Sequence, residues 1–128
     1  MLSIYANKIK RFYDRGLSKE EVVTSLAKEK DYYEQALFEV NERKEMIENI
    51  QTLEELYSED TLGFNDDFKT FEDFKANVKE DLSTLKSSCL EQEEYHVCDY
   101  YNNPKDIMCT RWEVENRIYA IEYHLSKL

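Results

Sequence analysis

Residues 19–50 read KEEVVTSLAKEKDYYEQALFEVNERKEMIENI, a stretch without glycine or proline in which apolar residues recur at intervals of three, four and seven. This spacing is typical of a helix that buries one face. The apolar positions are Val22, Leu26, Tyr33, Leu37, Val40, Ile47 and Ile50. Ser18 and Glu21 form a capping box in front of it. We therefore predict one long helix from Lys19 to about Ile50, roughly 45 Å in length, with a kink near residues 28–31 as the alternative.

Shorter helices are predicted on both sides of this long helix. Gly16 would end a first helix, Thr52 and Thr70 would cap two others, and Pro104 would open the last one. The predicted helices cover residues 2–15, 52–57, 71–89 and 104–128, with loops at 58–69 and 100–103. Two glycines and one proline in the whole chain argue against a multi-stranded sheet. The sequence thus predicts an all-α fold, a single domain over 1–128 built as an antiparallel bundle of four to five helices with one long helix.

The compartment is predicted from the cysteines and from the apolar runs. Three cysteines is an odd number, which favours reduced thiols in a cytosol over a disulfide framework. Neither the start of the chain nor any later stretch has the apolar run of a signal peptide or a membrane span. We therefore expect a cytoplasmic protein that does not bind membranes.

Negative charge is concentrated in residues 54–99. This stretch holds fourteen acids against four lysines, a net charge of −10, whereas the rest of the chain carries −1 of the total of −11. The acids are Glu54, Glu55, Glu59, Asp60, Asp66, Asp67, Glu72, Asp73, Glu80, Asp81, Glu91, Glu93, Glu94 and Asp99. Most come as adjacent pairs. A solvated face that keeps the protein soluble is one interpretation, and a surface that binds a partner is the other.

The partner interpretation follows from the spacing of the acidic pairs. On the predicted 71–89 helix, the pairs 72/73 and 80/81 would lie two turns apart, roughly 12 Å along the axis. Such carboxylates resemble the phosphates of a nucleic acid backbone in sign and spacing. We therefore expect no direct binding of nucleic acid, and a basic groove of a larger, nucleic-acid-binding protein as the partner.

Tyrosines next to this stretch extend the expected contact. Tyr100 and Tyr101 fall in a predicted loop beside Asp99, a composition favoured at contacts with arginine-rich surfaces. The predicted partner-binding residues are Glu54, Glu55, Glu59, Asp60, Asp66, Asp67, Glu72, Asp73, Glu80, Asp81, Glu93, Glu94, Asp99, Tyr100 and Tyr101. In composition, the chain resembles the small acidic proteins that phages use against host restriction or CRISPR nucleases. That resemblance implies an inhibitor that acts in the host cytoplasm.

Two further interpretations remain open. Cys89, His96, Cys98 and Cys109 fall within 21 residues and could form a Cys₃His zinc site, although their spacing lacks two close ligand pairs and Cys89 also fits a buried helix position. A helical scaffold or homodimer, in which the 19–50 helix pairs with a copy of itself, is the other alternative.

Catalysis is not expected. Two glycines cannot build a phosphate-binding loop, His96 and Cys98 are too close in sequence to indicate a nucleophile and its base, and Glu93-x-x-His96 occurs once where a di-iron bundle needs two copies. The sequence therefore predicts a non-enzymatic protein without a cofactor.

Overall fold

A computed structural model describes residues 1–59, 63–98, 100 and 108–128, without the side chains of Cys98 and Met108. Within these residues the chain forms seven helices and one pair of two-residue strands. The elements are α1 (Leu2–Asp14), α2 (Lys19–Glu48), α3 (Leu53–Glu59), α4 (Phe64–Asp67), α5 (Phe71–Asn77), α6 (Leu82–Tyr95), β1 (Val97–Cys98), β2 (Met108–Cys109) and α7 (Arg111–Lys127). The predicted all-α helical bundle is confirmed.

The chain divides into two compact units. One consists of Met1–Glu39 and Tyr95–Leu128, and we call it the terminal unit. The other consists of Val40–Glu94, and we call it the central unit. The single domain predicted over 1–128 stays a prediction.

The long helix forms where the sequence predicts it. α2 is continuous over Lys19–Glu48. At its start, the hydroxyl of Ser18 accepts a hydrogen bond from the Glu21 amide at 3.2 Å, and the Glu21 carboxylate accepts one from the Ser18 amide at 3.2 Å. Gly16 ends α1 with a φ of +87°, a conformation that disfavours residues with a Cβ. The capping box and the glycine cap are therefore confirmed.

The apolar positions of α2 are largely buried within the chain itself. Val22, Leu26 and Tyr33 are fully buried in the terminal unit. Val40, Ile47 and Ile50 are buried in the central unit. These apolar positions of α2 are thus covered by other elements of the same chain.

The loop predicted over residues 58–69 is wrong at Phe64–Asp67, which forms α4. Gly63 precedes this helix with a φ of +72°, and the Phe64 side chain is buried. Its ring lies 4.9 Å from that of Phe74, centroid to centroid. Burial of this aromatic side chain fixes a turn of helix that a polar local sequence does not indicate. Residues 60–62 lie outside the described part.

The single helix predicted over residues 71–89 is also wrong, because it breaks into α5 and α6. Thr70 caps α5 as predicted, accepting a hydrogen bond from the Asp73 amide at 3.2 Å. Val78 is extended, with φ −90° and ψ 124°. Asp81 then accepts a hydrogen bond from the Thr84 amide at 2.8 Å. Aspartate favours this cap over a helix interior because its short side chain bonds to the nearby backbone.

The last helix starts later than predicted. Met108 and Cys109 form β2, which pairs antiparallel with β1, so that Val97 lies opposite Cys109. Thr110 then caps α7 by accepting a hydrogen bond from the Glu113 amide at 3.2 Å. The predicted start at Pro104 is therefore wrong for residues 108–110, while 101–107 lie outside the described residues.

Each unit has its own buried residues. In the terminal unit, α1 packs against α7. The buried hydrophobic side chains there are Tyr5, Ile9, Val22, Leu26, Tyr33, Val97, Cys109, Val114, Ala120 and Ile121. The core cluster of the central unit consists of Ile47, Ile50, Leu56, Phe64, Phe74, Leu85 and Cys89. Across the described residues, every helix is too short or too polar to span a bilayer.

Candidate functional site

The negative charge of the chain belongs to the central unit. Val40–Glu94 contains sixteen acids and six bases, a net charge of −10. The terminal unit contains twelve acids and eleven bases, a net charge of −1. The acidic stretch found in the sequence therefore coincides closely with a compact structural unit, although its last acid, Asp99, falls outside that unit.

Of the acids predicted to bind a partner, nine in the central unit are exposed and make no ion pair with any base in the described part of the chain. We call them the exposed acids. They are Glu54, Glu55, Glu59, Asp66, Asp67, Glu72, Asp73, Glu80 and Asp81. All nine were predicted to bind a partner, and their carboxylates are available to an incoming cation.

Helix starts explain why these acids come in pairs. Glu54 and Glu55 occupy the first turn of α3, the acids of α4 lie in its single turn, and Glu72 and Asp73 occupy the first turn of α5. A carboxylate there interacts favourably with the unsatisfied amides of the helix N-terminus, by about 0.3–1 kcal/mol. Hydrogen bonds from the Thr84 backbone and side chain likewise lower the pKa of Asp81 below its usual value. The pairs therefore have a structural role as well as an exposed position.

The predicted placement of the acidic pairs 72/73 and 80/81 two turns apart on one helix is wrong. α5 ends at Asn77, and α6 begins at Leu82. The exposed acids are instead distributed over four helix starts and their flanks.

Bases of the central unit are partly committed to internal contacts. The Lys86 ammonium donates hydrogen bonds to the carbonyls of Glu48, at 2.8 Å, and Ile50, at 2.7 Å. Arg43 lies 3.0 Å from the Glu93 carboxylate, and Lys44 pairs with Glu94. Glu93 is only 4% exposed. Glu93 and Glu94, both predicted to bind a partner, therefore pair with bases of their own unit.

An open groove of about 630 Å³ lies among the exposed acids. It is formed by the end of α2, by α3 and by the segment between them. Its lining residues are Met46, Asn49, Ile50, Thr52, Glu54, Glu55, Ser58 and Glu59. Three carboxylates beside two apolar side chains suit the aliphatic stem and charged head of a lysine or an arginine.

Of the two tyrosines predicted to bind a partner, the structure describes Tyr100. Tyr100 is 40% exposed, and its ring lies 5.1 Å from that of Tyr32 and 6.2 Å from that of Tyr33. It belongs to the terminal unit. Tyr101, Asp60 and Asp99 lie outside the described residues.

The predicted zinc ligands are placed as follows. Cys89 is buried in the core cluster of the central unit, Cys109 is buried in the terminal unit, and His96 is exposed. The side chain of Cys98 is outside the described part. Among described side chains, no group of three or more histidines, cysteines and acids is arranged to hold a metal ion.

Sequence reasoning missed a buried polar network in the terminal unit. The fully buried carboxylate of Glu29 accepts a hydrogen bond from the Tyr5 hydroxyl at 2.9 Å and pairs with the Lys8 ammonium at 2.8 Å. Arg117 donates a hydrogen bond to the hydroxyl of buried Tyr33 at 2.6 Å. The signal was present in the sequence, since Glu29 lies seven residues after Val22, at a position on the buried face of α2.

The buried tyrosines predict a loss of stability at alkaline pH. Burial raises the pKa of Tyr33 to about 12 even though Arg117 lowers it, and burial, together with the charge of Glu29, raises the pKa of Tyr5 further. The unfolded chain therefore releases these protons first. We expect the free energy of unfolding to fall above about pH 10, by up to about 1.4 kcal/mol per pH unit for each tyrosine.

Urea unfolding at several pH values between about 8 and about 11.5 measures this loss. The Tyr33→Phe variant is the control, because it removes one of the two buried hydroxyls. Its free energy of unfolding should fall clearly less steeply with pH than that of the parent protein. If the free energy of unfolding fell equally steeply in the two proteins, the loss could not be attributed to the Tyr33 hydroxyl.

Comparison with models of known protein families, with curated proteins and with solved structures finds no match for this chain. What the protein does must therefore be inferred from its own residues.

Proposed function

We propose that this chain is a non-enzymatic binding protein that presents the exposed acids of its central unit to a basic groove of a larger partner protein. The observation that carries the proposal is the set of nine exposed carboxylates without a described ion-pair partner, in a unit of net charge −10. Solubility alone does not require such segregation, because charge spread over both units would serve it equally well.

The contacts of three bases in the central unit also support the proposal. Three of the six bases in the central unit, Arg43, Lys44 and Lys86, contact its own carboxylates or carbonyls. Arg43 and Lys44 therefore pair with Glu93 and Glu94 and not with the exposed acids. A strongly negative surface accelerates encounter with a positive one and disfavours encounter with another negative one.

The chemistry of the partner follows from this charge. A basic groove wide enough for a protein surface is typical of proteins that hold nucleic acid, since phosphate charges dominate that binding. An acidic protein in such a groove would exclude the nucleic acid and so inhibit its partner. The compositional resemblance to phage inhibitors of host nucleases favours a restriction or CRISPR nuclease as that partner, with the host cytoplasm as the place of action.

Charge reversal at two exposed acids tests the proposal. Glu59 lines the groove and Glu80 lies in front of α6, and neither is in the first turn of a helix. We expect the Glu59→Lys, Glu80→Lys double variant to weaken partner binding by about tenfold or more. Capture from a host lysate identifies the partner, and titration of the purified pair gives the affinity.

The matched control reverses two exposed acids of the terminal unit, Asp31→Lys with Glu39→Lys. Both double variants change the net charge by the same amount, so a difference between them reports position and not total charge. Raising the salt from about 50 to about 500 mM should also weaken binding of the parent protein markedly. Equal effects of the two variants, or an affinity that does not respond to salt, would overturn the proposal.

A further inference from the structure

α7 carries three large aromatic side chains on its outward face. Trp112 is 69% exposed, Tyr119 is 61% exposed and Tyr123 is 41% exposed. They follow one another at intervals of seven and four residues, so they share one side of the helix. The other exposed residues of that side are Glu115, Glu122, Ser126 and Lys127. A solvated helix face is normally polar, so this aromatic face is unusual.

The aromatic face is additional to the residues that hold α7 in place. Val114, Ala120 and Ile121 are buried and anchor the opposite side of the helix in the terminal unit. The side chains of Trp112 and Tyr119 make no ring contact or hydrogen bond with the described part of the chain. Tyr123 contacts its helical neighbours His124 and Lys127. Exposed aromatic side chains grouped in this way mark a surface that contacts another protein.

The charge of the aromatic face favours a second copy of this chain as the protein that contacts it. Glu115 accepts a hydrogen bond from Arg111 at 3.0 Å, and Glu122 lies 3.4 Å from the Lys30 ammonium. The aromatic face is therefore close to neutral, and the unit that bears it has a net charge of −1. A second copy of this chain can approach it with little local repulsion, whereas contact through two central units would bring together charges of −10.

We propose that the outward face of α7 pairs with the same face of a second copy, around a two-fold axis. In such a contact each copy offers the same patch to the other. The proposal differs from pairing along α2, whose apolar positions are largely buried within the chain.

The size of the face indicates a weak dimer. Side chains of this kind bury about 150–250 Å² each, so their exposed fractions amount to about 340 Å² per copy. With the flanking side chains, two copies would bury about 1,000 Å² in total, which is the lower limit for a specific interface. The dimer should therefore be weak, with a dissociation constant in the micromolar range.

Sedimentation velocity over about 1 to about 500 µM protein tests the proposal, with monomer expected at the low end and dimer at the high end. Trp112 is the only tryptophan of the chain, so its emission should move to shorter wavelength as the dimer forms. We expect Trp112→Ser to weaken the dimer by about tenfold or more, and Tyr119→Ser to remove the concentration-dependent shift of emission.

Phe38→Ser is the matched control, because Phe38 is 56% exposed on α2, within the terminal unit. It should leave both the dimer and the emission shift unchanged. Added salt should maintain or strengthen the dimer by screening the net charge of the two copies, which is opposite to its effect on the partner complex. A monomer at every concentration, a dimer that salt weakens, or one that responds to Phe38→Ser but not to Trp112→Ser would overturn the proposal.

Discussion

Replacing Phe74 with alanine is expected to lower the free energy of unfolding by about 4 kcal/mol, the range typical of a fully buried phenylalanine. Phe74 has no exposed surface. Four aromatic rings surround it, and their centroids lie 4.9 to 6.2 Å from its own. They belong to Tyr57, Phe64, Phe68 and Phe71. The substitution removes the ring that all four contact and leaves a cavity between α3, α4 and α5.

Urea unfolding followed by circular dichroism measures this loss. Phe38→Ala makes the same chemical change at an exposed position, and it should stay within about 0.5 kcal/mol of the parent protein. A loss below about 1 kcal/mol for Phe74→Ala would show that the aromatic cluster does not hold the short helices together.

Replacing Glu29 with leucine is expected to cost about 3 kcal/mol, because it removes one partner of a buried ion pair. The Lys8 side chain is 16% exposed, so its ammonium would lose the Glu29 carboxylate and gain little access to water in its place. The hydroxyl of Tyr5 would lose its acceptor as well, and an unsatisfied buried donor costs about 1–3 kcal/mol.

A compensated variant separates the loss of charge pairing from a packing defect. A triple variant removes all three polar groups of this contact at once. It combines Glu29→Leu with Lys8→Met and Tyr5→Phe. We expect this triple variant to recover most of the lost stability, since apolar replacements of buried ion pairs are often neutral or stabilising. Glu34→Leu, which alters an acid with 48% side-chain exposure on the same helix, should have little effect. A triple variant as unstable as Glu29→Leu alone would contradict this account.

Features of the fold that depend on local hydrogen bonds were predictable from sequence. Each helix cap forms between residues no more than three or four positions apart, so the residue types alone mark the helix ends. The caps are formed by Ser18 with Glu21, by Thr52, by Thr70 and by Gly16. The apolar periodicity of α2 was equally informative, because a helix that buries one face repeats that face in its sequence.

Features that depend on contacts between distant residues were not predictable. Val78, Leu82 and Leu85 continue the apolar spacing across the break between α5 and α6, because both helices pack on the same core cluster. Periodicity therefore could not reveal that the helix stops. The pairing of Val97 with Cys109 likewise joins residues twelve positions apart, and four residues of strand are too few to leave a pattern.

The candidate site was predictable in composition but not in geometry. Thirteen of the fifteen predicted partner-binding residues are acids that the sequence shows directly. Which of them are exposed depends on tertiary contacts, as Glu93 beside Arg43 illustrates. The aromatic face of α7 was also visible as a spacing, but only the exposure of Trp112 distinguishes it from a buried face.

The position of acids at helix starts links the stability of the fold to the proposed binding surface. Loss of Glu72 or Asp73 would weaken a helix N-terminus and, under the proposed function, would also remove a charge that binds the partner. If the proposal holds, substitutions that make the protein less acidic would reduce both its stability and its affinity for the partner. Glu59 and Glu80 lie outside that constraint, and they are the positions at which affinity for a new partner could be adjusted while the helices stay intact.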